Sequence, residues 1–184
     1  MKKIKTLIIV LLVFYCNISY GQKEITIQNM IEEVSFLASD QLQGRETGTK
    51  YEEISAKYIK AKFKKYNLLP GNGNSYFQEF KTTIKSNPHS HIKDKEIKGT
   101  NVIGYIDNSR VETIIIGAHY DHLGYGDFGS RHTGDREIHN GADDNASGVS
   151  IILNLANILS KDKNYNYLFI AFSGEEHGLS LIHI

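Results

Sequence analysis

The chain has 184 residues, enough for one domain, and its 21 basic and 21 acidic side chains balance. That balance excludes a broad basic field, so nucleic acid is not an expected partner. The single cysteine, Cys16, directly follows an N-terminal apolar stretch, so the rest of the chain has no disulfide or thiolate ligand, and any metal there must be held by histidines and carboxylates.

Lys2, Lys3 and Lys5 precede an apolar run from Leu7 to Tyr15, and Ser19-Tyr20-Gly21 follows. This pattern predicts a secretory signal over residues 1–21, cut after Gly21. A membrane anchor is the competing reading, but the apolar run is shorter than the roughly 20 residues that span a bilayer. The expected location is therefore secreted or periplasmic, with no membrane attachment after cleavage. Loss of the three lysines leaves 18 basic against 21 acidic residues, slightly acidic.

Ile27, Met30, Ile31, Val34, Leu37 and Ala38 recur at helical spacing and predict a helix ending near Ser39-Asp40. Gln43 to Gly48 is a turn-rich break. Thr49 and Glu52 match a capping box that opens a second helix, with Ile54, Tyr58 and Ala61 as its apolar side and Ile59, Phe63 and Tyr66 widening it. Its many lysines read as a solvated face, and Pro70-Gly71 as its end. Tyr76 to Ile84 alternates as a half-buried strand. Lys85 to Lys98 is polar, contains Pro88, and reads as a loop with His89 and His91 on the surface. Thr100–Ile106 and Glu112–Ala118 are short β-branched runs joined through Asp107-Asn108-Ser109-Arg110, and Ile114-Ile115-Ile116 suggests a central strand covered on both faces. Tyr125 to Asn140 is a loop, Ala146 to Leu159 a packed helix, and Tyr165 to Phe172 a buried strand. Strands alternating with helices imply α/β layering.

Three polar motifs stand at the ends of these apolar elements. His119 and Asp121 follow a strand at a spacing that points both side chains the same way, which suits a metal-binding imidazole and a carboxylate that orients it. The pair is also compatible with a purely structural hydrogen bond. Asp143 and Asp144, between Gly141 and a helix start, are either metal-bridging carboxylates or ordinary first-turn acids that complement the helix dipole. Glu175 and Glu176 follow a buried strand between Gly174 and Gly178. Either one binds metal while the other takes a proton from water, or both lie in a solvated turn. The three together point to a metal-dependent hydrolase, and open α/β sheets bind ligands beyond the carboxyl ends of their strands, where His119 and Glu175 fall.

Gly117 to Gly124, Gly141 to Gly148 and Ser173 to Leu179 resemble the motifs of the M28 family of zinc metallopeptidases, and Leu37 to Arg45 is similar to a segment of its secreted bacterial members. The resemblance implies a three-layer α/β sandwich with a central mixed sheet flanked by helices. It also implies peptide substrates, release of N-terminal amino acids, and two Zn2+ ions. It assigns His119, Asp144 and Glu176 as metal ligands, Glu175 as general base and Asp121 as the support of His119. His183 is not assigned, and His122, His132, His139 and His177 are expected mostly in ordinary loop roles. The later Asp and His ligands of the family find no match here. Residues 22–184 are therefore expected to be a partial catalytic domain, incomplete at its C-terminus and inactive by itself. Leu179 to Ile184 is expected to be a non-native end, because it reads like a translated sequencing adapter. The competing functions are an inactive or non-catalytic fragment of this fold and an M20-like metallo-amidohydrolase; glutaminyl cyclases share the fold.

Overall fold

The computed structural model describes residues 27–84, 95–127 and 130–178. The expected signal segment, His89, His91 and residues 179–184 lie outside the described residues. Helix α1 covers residues 27–37, α2 Lys50–Lys65 and α3 Ser147–Leu159. The strands are β1 Leu69–Pro70, β2 Phe77–Ile84, β3 Lys95–Ile106, β4 Thr113–His119 and β5 Asn166–Phe172. No helix among the described residues is long and apolar enough to cross a membrane.

The sheet runs β1-β3-β5-β4, with β2 also paired to β3. β3 is antiparallel to β1, β2 and β5, whereas β5 runs parallel to β4. A parallel pair cannot be closed by a tight turn and needs a long crossover, here the segment containing α3. The fold is a mixed central sheet flanked by helices, as the alternation of elements implies.

Period-two alternation separates the two faces of the sheet. Val102, Phe169 and Ala171 join Ile59 and Phe63 of α2 and Val149, Leu153 and Ala156 of α3 in the main core. Ile103, Ile170 and Phe172 point to the opposite face, with Leu168 beside them. Phe63 and Phe169 meet with ring centroids 6.2 Å apart. Fully burying side chains of this size contributes about 1.5–3 kcal/mol each.

Helix α2 opens as its sequence predicts. Thr49 accepts a hydrogen bond from the Glu52 amide at 3.4 Å, but the Glu52 carboxylate reaches one residue further back, to the Gly48 amide at 2.7 Å. Its end differs from expectation. Asn67 takes a left-handed backbone conformation, with its amide donating to Lys64 and that of Leu68 to Phe63, so the helix closes several residues before Pro70. Pro70 instead lies in β1.

The buried stripes are also rotated from those predicted. On α2 it is Glu52, Ser55, Ala56, Ile59 and Phe63 that are buried, while Ile54 is exposed. On α1, Ile27 and Ile31 are exposed and Glu33 is fully buried. Glu33 is tolerated there because Lys62, Ser150 and Asn154 all donate to its carboxylate. The segment Lys95–Gly99, expected in a loop, belongs to β3 and pairs with β2 from Ile84 to Phe80. Charged Glu96 and Lys98 mask a period of two in which Ile97 is buried. β4 is not covered on both faces: it ends the described sheet, and Ile115 is 65% exposed. The Asp107–Arg110 turn does not join neighbours either, because β5 lies between β3 and β4.

Candidate metal centre

β4 and β5 are parallel, so the residues that follow them emerge at the same end of the sheet. His119 pairs with Phe172 at the last rung, and the Tyr120 amide then donates to the Phe172 carbonyl at 2.8 Å. This register brings the polar residues after each strand to one place. Tyr120 is fully buried, its hydroxyl donating to the Thr100 carbonyl at 2.6 Å.

Asp121 is fully buried as well. One carboxylate oxygen lies 3.6 Å from His119 Nδ1 and accepts from the Glu175 amide at 3.3 Å; the other accepts from the Glu176 amide at 3.4 Å and from Thr47 Oγ1 at 3.0 Å. The same carboxylate thus faces the His119 ring and holds the turn that carries Glu175 and Glu176. That turn is a single 3₁₀ turn, Glu175–His177, entered through Gly174 at φ 88°. A left-handed glycine there breaks the strand alternation that would otherwise send the two glutamates to opposite faces.

The third contributor comes from the start of α3. Ala142–Ala146 is a wide, irregular turn with extended backbone at Asp144. It directs Asp144 toward β4, so that Asp144 Oδ1 lies 2.9 Å from His119 Nε2. Asp143 is exposed; its carbonyl accepts from Ser147 Oγ. His119, Asp144 and Glu176 each offer one ligand atom, and those atoms lie within 4.8 Å of one another, the only such group among the described residues. Asp121 stands behind His119 and outside this group. Glu175 is exposed beside it.

Burial of His119 opposes its charge, yet the hydrogen bond and negative charge of Asp121, with Glu175 and Asp144, outweigh that and push its pKa up to about 9. At neutral pH the ring therefore carries protons on both nitrogens. Burial likewise raises the Glu176 carboxyl, with Asp144 and Asp121 adding to it against the pull of His122.

Several residues missing from the sequence-derived set support this centre. His122 Nδ1 is hydrogen bonded to Glu176 Oε1. Arg45, fully buried, donates to the carbonyls of Tyr120 at 2.8 Å, Asn140 at 2.7 Å and Gly141 at 3.0 Å, and to that of Leu37. It thereby ties the loop of His119 to the loop of Asp144. Burial lowers its pKa to about 10 despite the nearby Asp121, Glu176 and Asp144. Behind Asp121, Thr47 meets Ser173 Oγ at 3.1 Å, and Ser173 donates to Glu52 at 2.6 Å. Arg45 lies in the Leu37–Arg45 segment already singled out, and His122 and Ser173 lie within the first and third motifs; Glu52 is marked only by its capping position.

Residues 101–180 match Peptidase family M28. The chain is 31% identical over 142 residues to the alkaline phosphatase isozyme conversion protein of Escherichia coli (strain K12), an alignment covering 73% of this chain and 39% of that protein. Solved structures of similar fold include a Zn-dependent exopeptidase from Parabacteroides distasonis, with TM-score 0.62, 18% identity and coverage of 85% of this chain and 49% of that one. A leucine aminopeptidase precursor from Bacteroides thetaiotaomicron gives TM-score 0.62 at 17% identity, covering 85% and 50%. Tannerella forsythia glutaminyl cyclase gives 0.60 at 16%, covering 80% and 46%. The chain spans about two-fifths of the curated relative's length and about half of each of these structures.

Proposed function

We propose that this chain, whose residues 101–180 belong to peptidase family M28, forms the metal-binding part of a zinc-dependent aminopeptidase that releases N-terminal residues from peptides. The observation that carries this reading is the convergence of ligand atoms of His119, Asp144 and Glu176 within 4.8 Å of one another. One imidazole and two carboxylates form a donor set suited to zinc, and the described chain offers no competing thiolate.

In this reading His119, Asp144 and Glu176 would hold zinc, with Asp144 the residue that would serve both ions if two are bound. Bound zinc supplies a Lewis acid that polarises the scissile carbonyl and makes water nucleophilic near neutral pH. Glu175 takes one proton from the attacking water and returns it to the leaving amine, so the peptide C–N bond breaks with no net proton gained or lost. Asp121 keeps the His119 ring in one orientation and, through the amides of Glu175 and Glu176, fixes the base relative to the ligands. The proposal includes export, with residues 1–21 removed as a signal.

Release of nitroaniline from aminoacyl-p-nitroanilides by the zinc-loaded product of the full open reading frame tests it. Glu175→Gln should lower kcat by about 10²–10⁴ while zinc stays bound. Undiminished turnover in that variant removes Glu175 from the role, and no zinc-dependent cleavage by the wild-type full-length product rejects the aminopeptidase reading. Similarity to a glutaminyl cyclase structure favours a second reading, cyclisation of N-terminal glutamine. Formation of pyroglutamyl product from a Gln-peptide, without aminoacyl release, would select it.

A further inference from the structure

Glu176 is gripped by a histidine that the proposed reaction leaves unused. His122 lies three residues beyond His119 in the loop leaving β4, and its Nδ1–H donates to Glu176 Oε1. Both side chains are largely covered, 13% and 14% exposed. The His122 ring is seated on two sides. Gly141, at φ +57°, lies so close that a Cβ there would stand 2.6 Å from His122 Cγ. The His139 ring meets it edge-on at 6.2 Å. His139 is itself fixed, its amide donating to Gly124 at 2.8 Å and its Nε2 lying 3.1 Å from Ser130 Oγ. His122 is not among the three residues whose ligand atoms converge, so it serves one of those residues and is not a member of the set.

A carboxylate that rotates about its last bond offers a metal either oxygen in many directions. With one oxygen held by an N–H donor, the direction in which the group faces the metal is set before the metal arrives. We infer that His122 is a positioning residue that orients Glu176 toward the His119–Asp144 pair. This rests on the zinc reading given above.

The test is zinc affinity, measured by competition with a chromophoric chelator, together with the visible absorption of the cobalt(II)-substituted protein. His122→Phe keeps a ring against Gly141 and His139 but removes the donor. His122→Asn loses the ring but keeps an N–H at the Nδ1 position. Thermal melting of both reports whether the fold holds. Expected is zinc binding about 10–100-fold weaker in His122→Phe, with shifted cobalt bands, and near-wild-type affinity and bands in His122→Asn. A general packing defect would weaken His122→Asn as much as His122→Phe, and that result overturns the inference. So does a His122→Phe protein that binds zinc and cobalt as the wild type does. A wild type that binds neither metal marks failure of the zinc reading itself, and the inference falls with it.

Discussion

Asp121 meets more of the centre than any of the three converging side chains. It faces His119, accepts from the Glu175 and Glu176 amides, and accepts from Thr47, all without solvent. Asp121→Asn retains the shape but replaces one acceptor oxygen with an N–H that confronts those donors. Such a buried mismatch costs about 1–3 kcal/mol, read as a lower midpoint in urea unfolding, and zinc affinity should weaken about 10–100-fold. Wild-type values for both would mean that Asp121 neither holds the turn nor orients His119. Arg45 acts on the backbone instead. Arg45→Met leaves the buried carbonyls of Leu37 and Tyr120 and the part-buried carbonyls of Asn140 and Gly141 without their donor. The expected loss is about 2–4 kcal/mol of unfolding free energy, and an unchanged midpoint would contradict the clamp. His119, Asp121 and Glu175 were legible in the sequence because each stands just past an apolar run. Arg45 and Ser173 fall inside segments the sequence marks, but their clamping roles were not legible, since their partners lie far along the chain.

At the scale of elements, α2 is anchored at its start by Glu52. Its carboxylate accepts from the Gly48 and Thr100 amides and from Ser173, which joins α2 to β3 and to the segment after β5. Burial raises its pKa above 4.5, against the lowering effect of those hydrogen bonds. Between the ordinary and the raised value, the folded state keeps a proton that the unfolded chain has released. Stability contributed by this group is therefore greatest below that window and declines as pH rises through it. Unfolding free energies of wild type and Glu52→Gln, compared over about pH 4–8, should show the wild type losing its advantage as pH rises. A constant difference would show that Glu52 is not shifted. The helices themselves were legible from periodicity, but the side each presents to the core was not. Isoleucines at 31 and 54 lie at the edge of a broad apolar stripe, and Glu33 is admitted to the interior by donors from α2 and α3. β4 illustrates the same limit: three isoleucines signal a strand, yet whether both faces are covered depends on which elements pack beside it.

In the whole molecule, His119, Asp144 and Glu176 come from three separate segments: the end of β4, the turn before α3 and the turn after β5. A cation shared by them cross-links the sheet's carboxyl end, and it can do so only in the folded state. Zinc at 100 times its dissociation constant should therefore raise the unfolding free energy by about 2.7 kcal/mol, and a chelator should reverse this; no zinc-dependent shift in melting would argue against a site built from all three. The most direct measurement is anomalous diffraction at the zinc absorption edge from crystals of the zinc-loaded protein. A peak is expected about 2.0–2.2 Å from His119 Nε2 and from carboxylate oxygens of Asp144 and Glu176. Zinc bound elsewhere, or these three side chains apart with no peak between them, would contradict it.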